Sequence, residues 1–287
     1  MIRALSILLM TVMALTGQTA ALAETSPDQK AVLITGASSG LGRVMAETMA
    51  ASGYFVYAGA RKDKDLEELT AVDNIQGVRL DVNKQEQIDA AVTTISEAGR
   101  GLYGLVNNAG VAVVQPLIEI EEEDFDFQMN VNIYGPYRVT RAFAPLIVES
   151  KGRISIIGSI SGTLSSATWG PYSMTKFAME AYADALADEM RSFGVHVSLI
   201  EPGAYRSNIG KSALERMAEK NQSADDSQFK EAMDASVNWL SKFENDQGDP
   251  TEVAAAVMKA LFDDDPKPRY LIVPTQEQAY WTINRAI

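Results

Sequence analysis

Ala31-Val32-Leu33-Ile34-Thr35-Gly36-Ala37-Ser38-Ser39-Gly40-Leu41-Gly42 is the stretch that decides the fold. Its first five residues form a short apolar run typical of a buried strand, and residues 41–52 show the pattern of a helix. Glycines between the two permit a tight turn and let backbone approach a ligand closely. The helix N-terminus then offers free N–H groups that favour a phosphate. The stretch therefore predicts the opening strand, turn and helix of a dinucleotide-binding sheet.

The rest of the chain alternates short apolar runs with amphipathic stretches. This alternation predicts an α/β fold: a single Rossmann-type, doubly wound parallel sheet of about seven strands with helices on both faces. No linker divides it, so residues 24–287 are predicted to form one domain. The predicted strands are 31–35, 54–58, 77–80, 102–106, 153–157, 195–200 and 269–273, and the predicted helices are 41–52, 84–99, 121–151, 171–193 and 251–262.

One segment, about residues 207–247, breaks this rhythm. It holds polar helical stretches that carry apolar residues, including Met217, Met233, Trp239, Leu240 and Phe243. An insertion after the sixth strand lies at the carboxyl edge of the sheet, where ligands bind. It is therefore predicted to be a helical lid over a substrate, and a helical pair packed at the periphery is the alternative.

Composition excludes several classes of function. The 287-residue chain has a net charge of −13, which disfavours nucleic-acid binding. It has no cysteine, which excludes disulfides and thiol nucleophiles. The single histidine, His196, alternates with apolar residues and is interpreted as structural. No metal site is predicted.

The N-terminus has the pattern of a secretory signal peptide. Met1-Ile2-Arg3 is a short positive start, residues 4–17 are apolar, and Ala21-Leu22-Ala23 is a small-residue cleavage site. We expect residues 1–23 to be removed after Ala23 and the protein to be exported, in a bacterium to the periplasm. The apolar run is too short to span a bilayer comfortably, so no stable membrane span is expected. An uncleaved membrane anchor is the alternative.

Tyr172 and Lys176 form the strongest candidate for chemistry. A spacing of four residues places both side chains on one face of a helix, about one turn apart. A lysine ammonium close to a phenol favours the phenolate and lowers its pKa from about 10. Such a phenol can exchange a proton with a carbonyl or alcohol.

The end of the second strand indicates which dinucleotide is preferred. NAD sites usually place an acid there to bind the ribose 2′-hydroxyl. This chain has Gly59-Ala60-Arg61-Lys62 instead, and the Arg61 guanidinium suits a 2′-phosphate. The cofactor is therefore predicted to be NADP(H), with NAD(H) less favoured.

Over about residues 30–275 the chain resembles the single-domain short-chain dehydrogenases/reductases. Its glycine motif is Thr35 to Gly42, and Asn107 to Gly110 gives the family's Asn-Asn-Ala-Gly. Ser159 lies thirteen residues before Tyr172, the spacing of the family's catalytic serine. The other matches are Asp81 before Val82, Asn132 in the predicted fourth helix, and Pro202-Gly203 followed by Ser207, where the family often has threonine.

The resemblance implies a role for each matched residue. Tyr172 exchanges the proton, Ser159 hydrogen-bonds the substrate oxygen, Lys176 lowers the tyrosine pKa and contacts the nicotinamide ribose, and Asn132 holds a water in a proton relay. The implied cofactor-binding residues are Gly36, Ser38, Ser39, Gly40, Leu41, Gly42, Arg61, Asp81, Val82, Asn108, Ala109, Gly110, Tyr172, Lys176, Pro202, Gly203 and Ser207.

Details around Trp169-Gly170-Pro171 and Pro202 to Arg206 look most similar to the branch with hydroxysteroid and retinol dehydrogenases. This implies an NADP(H)-dependent oxidoreductase that interconverts a carbonyl and an alcohol on a bulky apolar small molecule, as a homodimer or homotetramer. One alternative is a 3-oxoacyl thioester reductase. Another is a non-catalytic dinucleotide-binding protein of the cell envelope, because export separates the chain from the cytoplasmic cofactor pool.

Overall fold

The computed structural model describes residues 29–242 and 247–275. Within them, seven strands form one sheet in which every neighbouring pair is parallel. This confirms the predicted sheet. The strands are β1 (Ala31–Ile34), β2 (Phe55–Ala60), β3 (Ile75–Arg79), β4 (Gly104–Asn107), β5 (Arg153–Ile157), β6 (His196–Pro202) and β7 (Arg269–Ile272).

The strand order is β3-β2-β1-β4-β5-β6-β7, so the direction of winding reverses between β1 and β4. In an open parallel sheet, such a reversal opens a crevice beyond the carboxyl ends of the strands. The helices of the described part of the chain are α1 (Gly40–Ala51), α2 (Asp63–Thr70), α3 (Gln85–Glu97), α4 (Glu122–Met129), α5 (Gly135–Glu149), α6 (Gly170–Arg191), α7 (Ile209–Glu219), α8 (Lys230–Leu240) and α9 (Pro250–Phe262).

Side chains of β1 alternate between two hydrophobic cores. Leu33 packs in the core formed with α3, α5 and α6, whereas Val32 and Ile34 pack in the core formed with α1, α2 and α9. All four β1 residues are buried, because helices cover both faces of the sheet. This burial fixes the end of β1, and with it the glycine loop that follows.

The predicted helix 121–151 is wrong as a single element. It consists of α4, a π-helical segment over Asn130–Tyr134, and α5. Pro136 lies in the first turn of α5 and has no N–H to donate to the carbonyl of Asn132, four residues earlier, which disfavours a regular α-helix at this point. The sequence analysis also missed α2, which has one buried residue, Leu69, and so a weak apolar pattern.

Residues 207–242 contain α7 and α8, joined through a turn in which Asn221 has a φ of +54°. Met217, Met233 and Leu240 are buried within this helical segment, whereas Trp239 is 40% exposed. The predicted lid also includes Phe243, which lies outside the described residues.

The predicted signal peptide, residues 1–23, lies outside the described residues as well. In the described part of the chain, no helix combines the length and apolar character needed to cross a membrane. His196, predicted to be structural, is an exposed residue at the start of β6.

Candidate active site

A cavity of about 520 Å³ opens at the carboxyl edge of the sheet, between the glycine loop, the ends of β2 to β6 and helix α7. This size is in the range of small-molecule sites. Of the four catalytic residues predicted from the sequence, Ser159, Tyr172 and Lys176 line it and Asn132 does not. The predicted cofactor-binding residues all line it: Gly36, Ser38, Ser39, Gly40, Leu41, Gly42, Arg61, Asp81, Val82, Asn108, Ala109, Gly110, Tyr172, Lys176, Pro202, Gly203 and Ser207.

The glycine loop is packed so closely that two of its positions exclude a side chain. A Cβ added at Gly36, whose φ is +66°, would lie 2.9 Å from the Cα of Ala109. A Cβ added at Gly42 would lie 2.5 Å from Nδ2 of Asn108 and overlap the Gly36 carbonyl. The sequence therefore needs glycine here to form the loop, in addition to any need for space around a ligand.

Hydrogen bonds from Asn108 hold this loop against the end of β4. Its Nδ2 donates to the carbonyls of Thr35 at 2.9 Å and Gly36 at 3.1 Å. The Thr35 hydroxyl accepts from the backbone N–H groups of Asn108 and Ala109, both at 3.0 Å. Asn108 is thus a positioning residue, through which the Asn107–Gly110 motif holds the glycine loop in place.

The N-terminus of α1 is directed to the cavity. Ser39 is its N-cap residue and makes no side-chain capping hydrogen bond, and Gly40 and Leu41 line the cavity beside it. Uncapped N–H groups at the positive end of a helix dipole suit a diphosphate. Together with the glycine positions, this makes the loop fit the phosphates of a dinucleotide.

Two charged residues border the far end of the cavity. The side chain of Arg61 is exposed and has no hydrogen bond or ion pair to other described residues. Its backbone carbonyl accepts from Arg79 at 2.6 Å, which fixes the backbone. Asp81 accepts from the Asn83 N–H at 3.0 Å through Oδ1. Arg61 can therefore reach an anionic group without breaking an existing contact.

Tyr172 and Lys176 lie on α6, and both are buried. The Lys176 Nζ donates to the Ile157 carbonyl at 2.8 Å and lies 5.6 Å from the centre of the Tyr172 ring. Ser159 follows β5, hydrogen-bonds to Tyr172, and accepts from the Ser161 N–H at 3.1 Å. The structure thus brings these three predicted residues together.

The expected lowering of the Tyr172 pKa is wrong for this geometry. Burial raises the pKa of Tyr172 to about 12, and the hydrogen bond with Ser159 opposes that rise only in part. Burial also lowers the pKa of Lys176 to about 8. Burial is the main cause of both shifts, because it disfavours the charged form of each group: the phenolate of Tyr172 and the ammonium of Lys176.

Asn132 lies in the π-helical segment and is buried directly behind the cavity wall, where it bonds to the backbone of Val111. Its Oδ1 accepts from the Val111 N–H at 2.9 Å, and its Nδ2 donates to the Val111 carbonyl at 2.9 Å and to the Thr175 hydroxyl at 3.1 Å. The amide therefore links the chain after β4 to α6, in the turn between Tyr172 and Lys176. This side chain is occupied in positioning.

Several wall residues of the cavity were not predicted as site residues. Trp169 stacks edge-on against Tyr172, with ring centres 5.7 Å apart, and Trp239 stacks edge-on against Trp169 at 5.2 Å. Arg216 lines the cavity from α7, where buried Asp124 accepts from its Nε at 3.0 Å. The residues contributed by α7 are Ile209, Ser212, Ala213, Glu215, Arg216 and Glu219, and their helical spacing is the signal that could have identified them.

The chain is similar in sequence to several known dehydrogenases. The chain is 39% identical over 186 residues to the mitochondrial D-beta-hydroxybutyrate dehydrogenase of Bos taurus, a match covering 61% of the chain and 54% of that protein. The chain therefore spans about half the length of this relative. It is 36% identical over 219 residues to retinol dehydrogenase 7 of Mus musculus, covering 75% of the chain and 68% of the relative.

Solved structures agree with the fold. A short chain dehydrogenase/reductase from Burkholderia phymatum in complex with NAD superposes with a TM-score of 0.76 at 25% identity, covering 89% of this chain and 92% of the other. Another similar chain was solved with NADPH. The model of the short chain dehydrogenase family matches residues 30–218. Because that match covers most of the chain, including the glycine loop, Ser159, Tyr172 and Lys176, this protein belongs to the short-chain dehydrogenase/reductase family of oxidoreductases.

Proposed function

We propose that the protein is an NADP(H)-dependent oxidoreductase that interconverts a ketone or aldehyde and the corresponding alcohol. The observation that carries this is the single cavity, which joins the glycine loop and Arg61 at one end to Ser159, Tyr172 and Lys176 at the other. The relatives solved with NAD and with NADPH support a nicotinamide dinucleotide as the cofactor. When bound, that cofactor supplies or accepts the hydride.

The side chains of this protein supply the proton that the carbonyl oxygen gains in the reduction. In reduction, the Tyr172 hydroxyl donates its proton to the carbonyl oxygen, and the Ser159 hydroxyl donates a hydrogen bond to the same oxygen as charge develops. A phenol whose pKa is about 12 holds its proton at neutral pH, which suits reduction. The Ser159 hydrogen bond favours the phenolate that remains, Lys176 Nζ lies 5.6 Å from the centre of the Tyr172 ring, and Asn132 holds Val111 and α6 in register.

The preference for NADP(H) rests on Arg61. Its guanidinium borders the cavity and has no carboxylate partner among the described residues, so it can bind a 2′-phosphate with charge-assisted hydrogen bonds. Such bonds contribute about 1.5–3 kcal/mol each. An acid at this position would repel the phosphate, and this chain has none before Asp63.

The substrate is proposed to be bulky and apolar. Trp169 and Trp239 form an aromatic wall beside Tyr172, and Ala112, Ile209 and Ala213 add apolar surface. Retinol dehydrogenase 7 is one of the relatives, which supports this class of substrate. Turnover of free bulky ketones but not of 3-oxoacyl thioesters is the expected result, and the reverse result would favour the thioester reductase.

The first experiment is a titration of the full chain with NADPH and NADH, following nicotinamide fluorescence. We expect NADPH to bind with a Kd in the micromolar range and at least about tenfold more tightly than NADH, which corresponds to about 1.4 kcal/mol. Absence of binding by either dinucleotide would overturn the assignment. Equal binding of both would remove the role proposed for Arg61 and leave the oxidoreductase assignment standing.

Export and self-association complete the proposal. We propose that residues 1–23 direct export, which predicts that protein recovered from the periplasm begins at Glu24; an intact Met1 in the membrane fraction would indicate an anchor.

We also propose a homodimer or homotetramer through α5 and α6, where Tyr137, Met174 and Phe177 are close to half exposed. A monomeric mass in light scattering would contradict it.

A further inference from the structure

Two carboxyl groups that the proposed chemistry does not use lie beneath the cavity. Glu201, near the end of β6, is 6% exposed and comes directly before Pro202 and Gly203 of the cavity wall. Glu180 lies on α6, one turn beyond Lys176. The carboxyl groups of Glu180 and Glu201 hydrogen-bond to each other. Two acids in contact, one buried and the other 17% exposed, need a chemical explanation.

The contact requires a proton. Glu180 Oε1 is buried and accepts no hydrogen bond from an N–H or hydroxyl group of the described residues. Two ionised carboxylates repel, whereas one proton shared between them makes a strong O–H···O⁻ hydrogen bond. A protonated Glu201 can therefore act as a donor to the Glu180 carboxylate.

The surrounding charges agree with one shared proton. The charged groups that face the pair are Asp184 from α6 and Arg269 from β7. Arg269 contacts Glu180 Oε2 through Nε and Nη2, both at 3.2 Å, and Asp184 Oδ1 at 2.9 Å. One guanidinium cannot neutralise three carboxylates, and Glu201 has no cation of its own.

The pair touches both sides of the proposed reaction site. A Cβ added at Gly162 would lie 2.6 Å from Glu180 Oε1 and 3.1 Å from the Lys176 carbonyl oxygen, so the Glu180 carboxylate packs on this glycine. Gly162 ends the short 3₁₀ turn that Ser159 caps. On the other side, Glu201 lies directly before the wall, since β6 ends at Pro202. The pair thus lies between the turn that Ser159 caps and the strand that leads into the Pro202–Gly203 wall.

We propose that Glu180 and Glu201 share one proton and act as positioning residues, which hold the Ser159 turn and the Pro202–Gly203 wall around Tyr172. The part of this inference that concerns turnover rests on the proposed function. Loss of the proton leaves two carboxylates face to face and forces them apart. Burial, and then the negative charge of Glu180, raise the pKa of Glu201 to about 7, so this loss occurs near neutral pH.

The sign of the effect on stability follows from that pKa. The folded protein binds the Glu201 proton more tightly than the unfolded chain, in which a glutamate has a pKa of about 4.3. Its contribution is present below the unfolded pKa and is lost as the pH rises through about 7. Between pH 5 and pH 8, we expect the Tm of the wild type to fall by roughly 5 °C more than that of Glu201→Gln.

Glu201→Gln is the informative variant, because its amide can donate to Glu180 without titrating. Asp184→Asn is the matched control: it also removes a carboxylate that contacts Arg269, but its side chain is 62% exposed and outside the shared pair. We expect Asp184→Asn to keep the wild-type dependence of Tm on pH. If Glu201→Gln also keeps it, the shared proton is excluded.

The pH dependence of kcat is the second measurement, because a pair that only stabilised the fold would not change it. From pH 6 to pH 8, kcat of the wild type is expected to fall about tenfold, since a pH one unit above the pKa leaves about a tenth of the pair protonated. Glu201→Gln is expected to keep at most the roughly twofold fall that titration of Lys176, with a pKa of about 8, produces by pH 8, and Asp184→Asn to keep the tenfold fall. An unchanged profile in Glu201→Gln would show that the pair does not position the site.

Failure of the proposed function would look different. A wild type that turns over no carbonyl but shows the Tm difference would retain the proton pair and lose the reductase. If Glu201→Gln does not fold, infrared spectroscopy of the wild type decides: the band of a protonated carboxyl is expected at pH 6 and should disappear with a midpoint near pH 7. Absence of that band would overturn the proposal.

Discussion

The glycine-loop side of the cavity and the α7–α8 side are built in different ways. On the loop side, backbone meets backbone: Gly36 and Gly42 have no room for a Cβ, and Asn108 bonds two carbonyls of the loop. On the α7–α8 side, the wall consists of side chains, among them Trp239 and Arg216. A wall made of backbone requires particular residues, whereas a wall made of side chains admits many.

This difference separates the two halves of the proposed function. The loop side determines that a dinucleotide can bind, and the α7–α8 side determines which carbonyl compound can reach Tyr172. Trp169 connects them, because it stacks on Tyr172 and on Trp239. If the two sides have these separate roles, variants on the loop side should change the affinity for the cofactor, and variants on the α7–α8 side should change the affinity for the substrate.

The largest effect is expected where the two sides meet. Tyr172→Phe removes the proton donor and keeps the ring that contacts Trp169, so kcat should fall by about 10²–10⁴-fold. The Kd for NADPH should change by less than about threefold. Steady-state kinetics and the fluorescence titration measure the two quantities. Retained turnover would remove Tyr172 from the chemistry, and loss of NADPH binding would show that the two sides are not separable.

A second variant tests the backbone wall. Gly42→Ala places a Cβ 2.5 Å from Asn108 Nδ2 and against the Gly36 carbonyl, and such overpacking should lower the free energy of unfolding by about 1–3 kcal/mol. Gly110→Ala is the control, because its nearest neighbour would lie 3.5 Å away, at ordinary contact distance. Urea unfolding measures both. Equal stability of the two variants would show that the loop can relax around a Cβ, and that its backbone packing does not require glycine at position 42.

A third variant sharpens the loop side by separating phosphate recognition from dinucleotide binding. Arg61→Ala should weaken NADPH binding by about 10–100-fold, the equivalent of one or two charge-assisted hydrogen bonds, and leave NADH binding unchanged. Lys64→Ala is the control, since this exposed residue pairs with Glu68 on α2 and does not line the cavity. An equal loss for both dinucleotides would assign Arg61 a structural role.

The order of the sheet and the glycine loop could be predicted, because both follow from short-range rules. Continuous apolar runs indicate strands covered on both faces, and the spacing of Gly36, Gly40 and Gly42 fits one turn geometry. Pro136 was also visible in the sequence, but the π-helical segment before it was not predicted, and neither were the bonds of Asn132 to Val111, which comes from a different part of the chain.

The electrostatics of the site could not be predicted. The spacing of Tyr172 and Lys176 predicts proximity, and they are close, but the pKa of the phenol depends on burial and on the hydrogen bond with Ser159. The shared proton of Glu180 and Glu201 depends on contacts between α6 and β6 in the same way. Desolvation is a property of the packed fold, so a one-dimensional pattern cannot report it.

The smallest effect is expected on the α7–α8 side, and it tests whether that wall selects substrates. Trp239→Ala removes an aromatic surface beside Trp169 and should raise KM for a bulky ketone by about tenfold, as expected for the loss of about 1–1.5 kcal/mol of aromatic contact. KM for a small ketone and the Kd for NADPH should stay within about twofold of the wild-type values.

Phe229→Ala provides the matched control for this test, because Phe229 is also 40% exposed and precedes α8 but does not line the cavity. We expect it to leave KM unchanged for both ketones. If Trp239→Ala and Phe229→Ala behave alike, the segment is a helical pair packed at the periphery. If Trp239→Ala also weakens NADPH binding, the two sides of the cavity share their contacts, and the distinction between a backbone wall and a side-chain wall fails at Trp169.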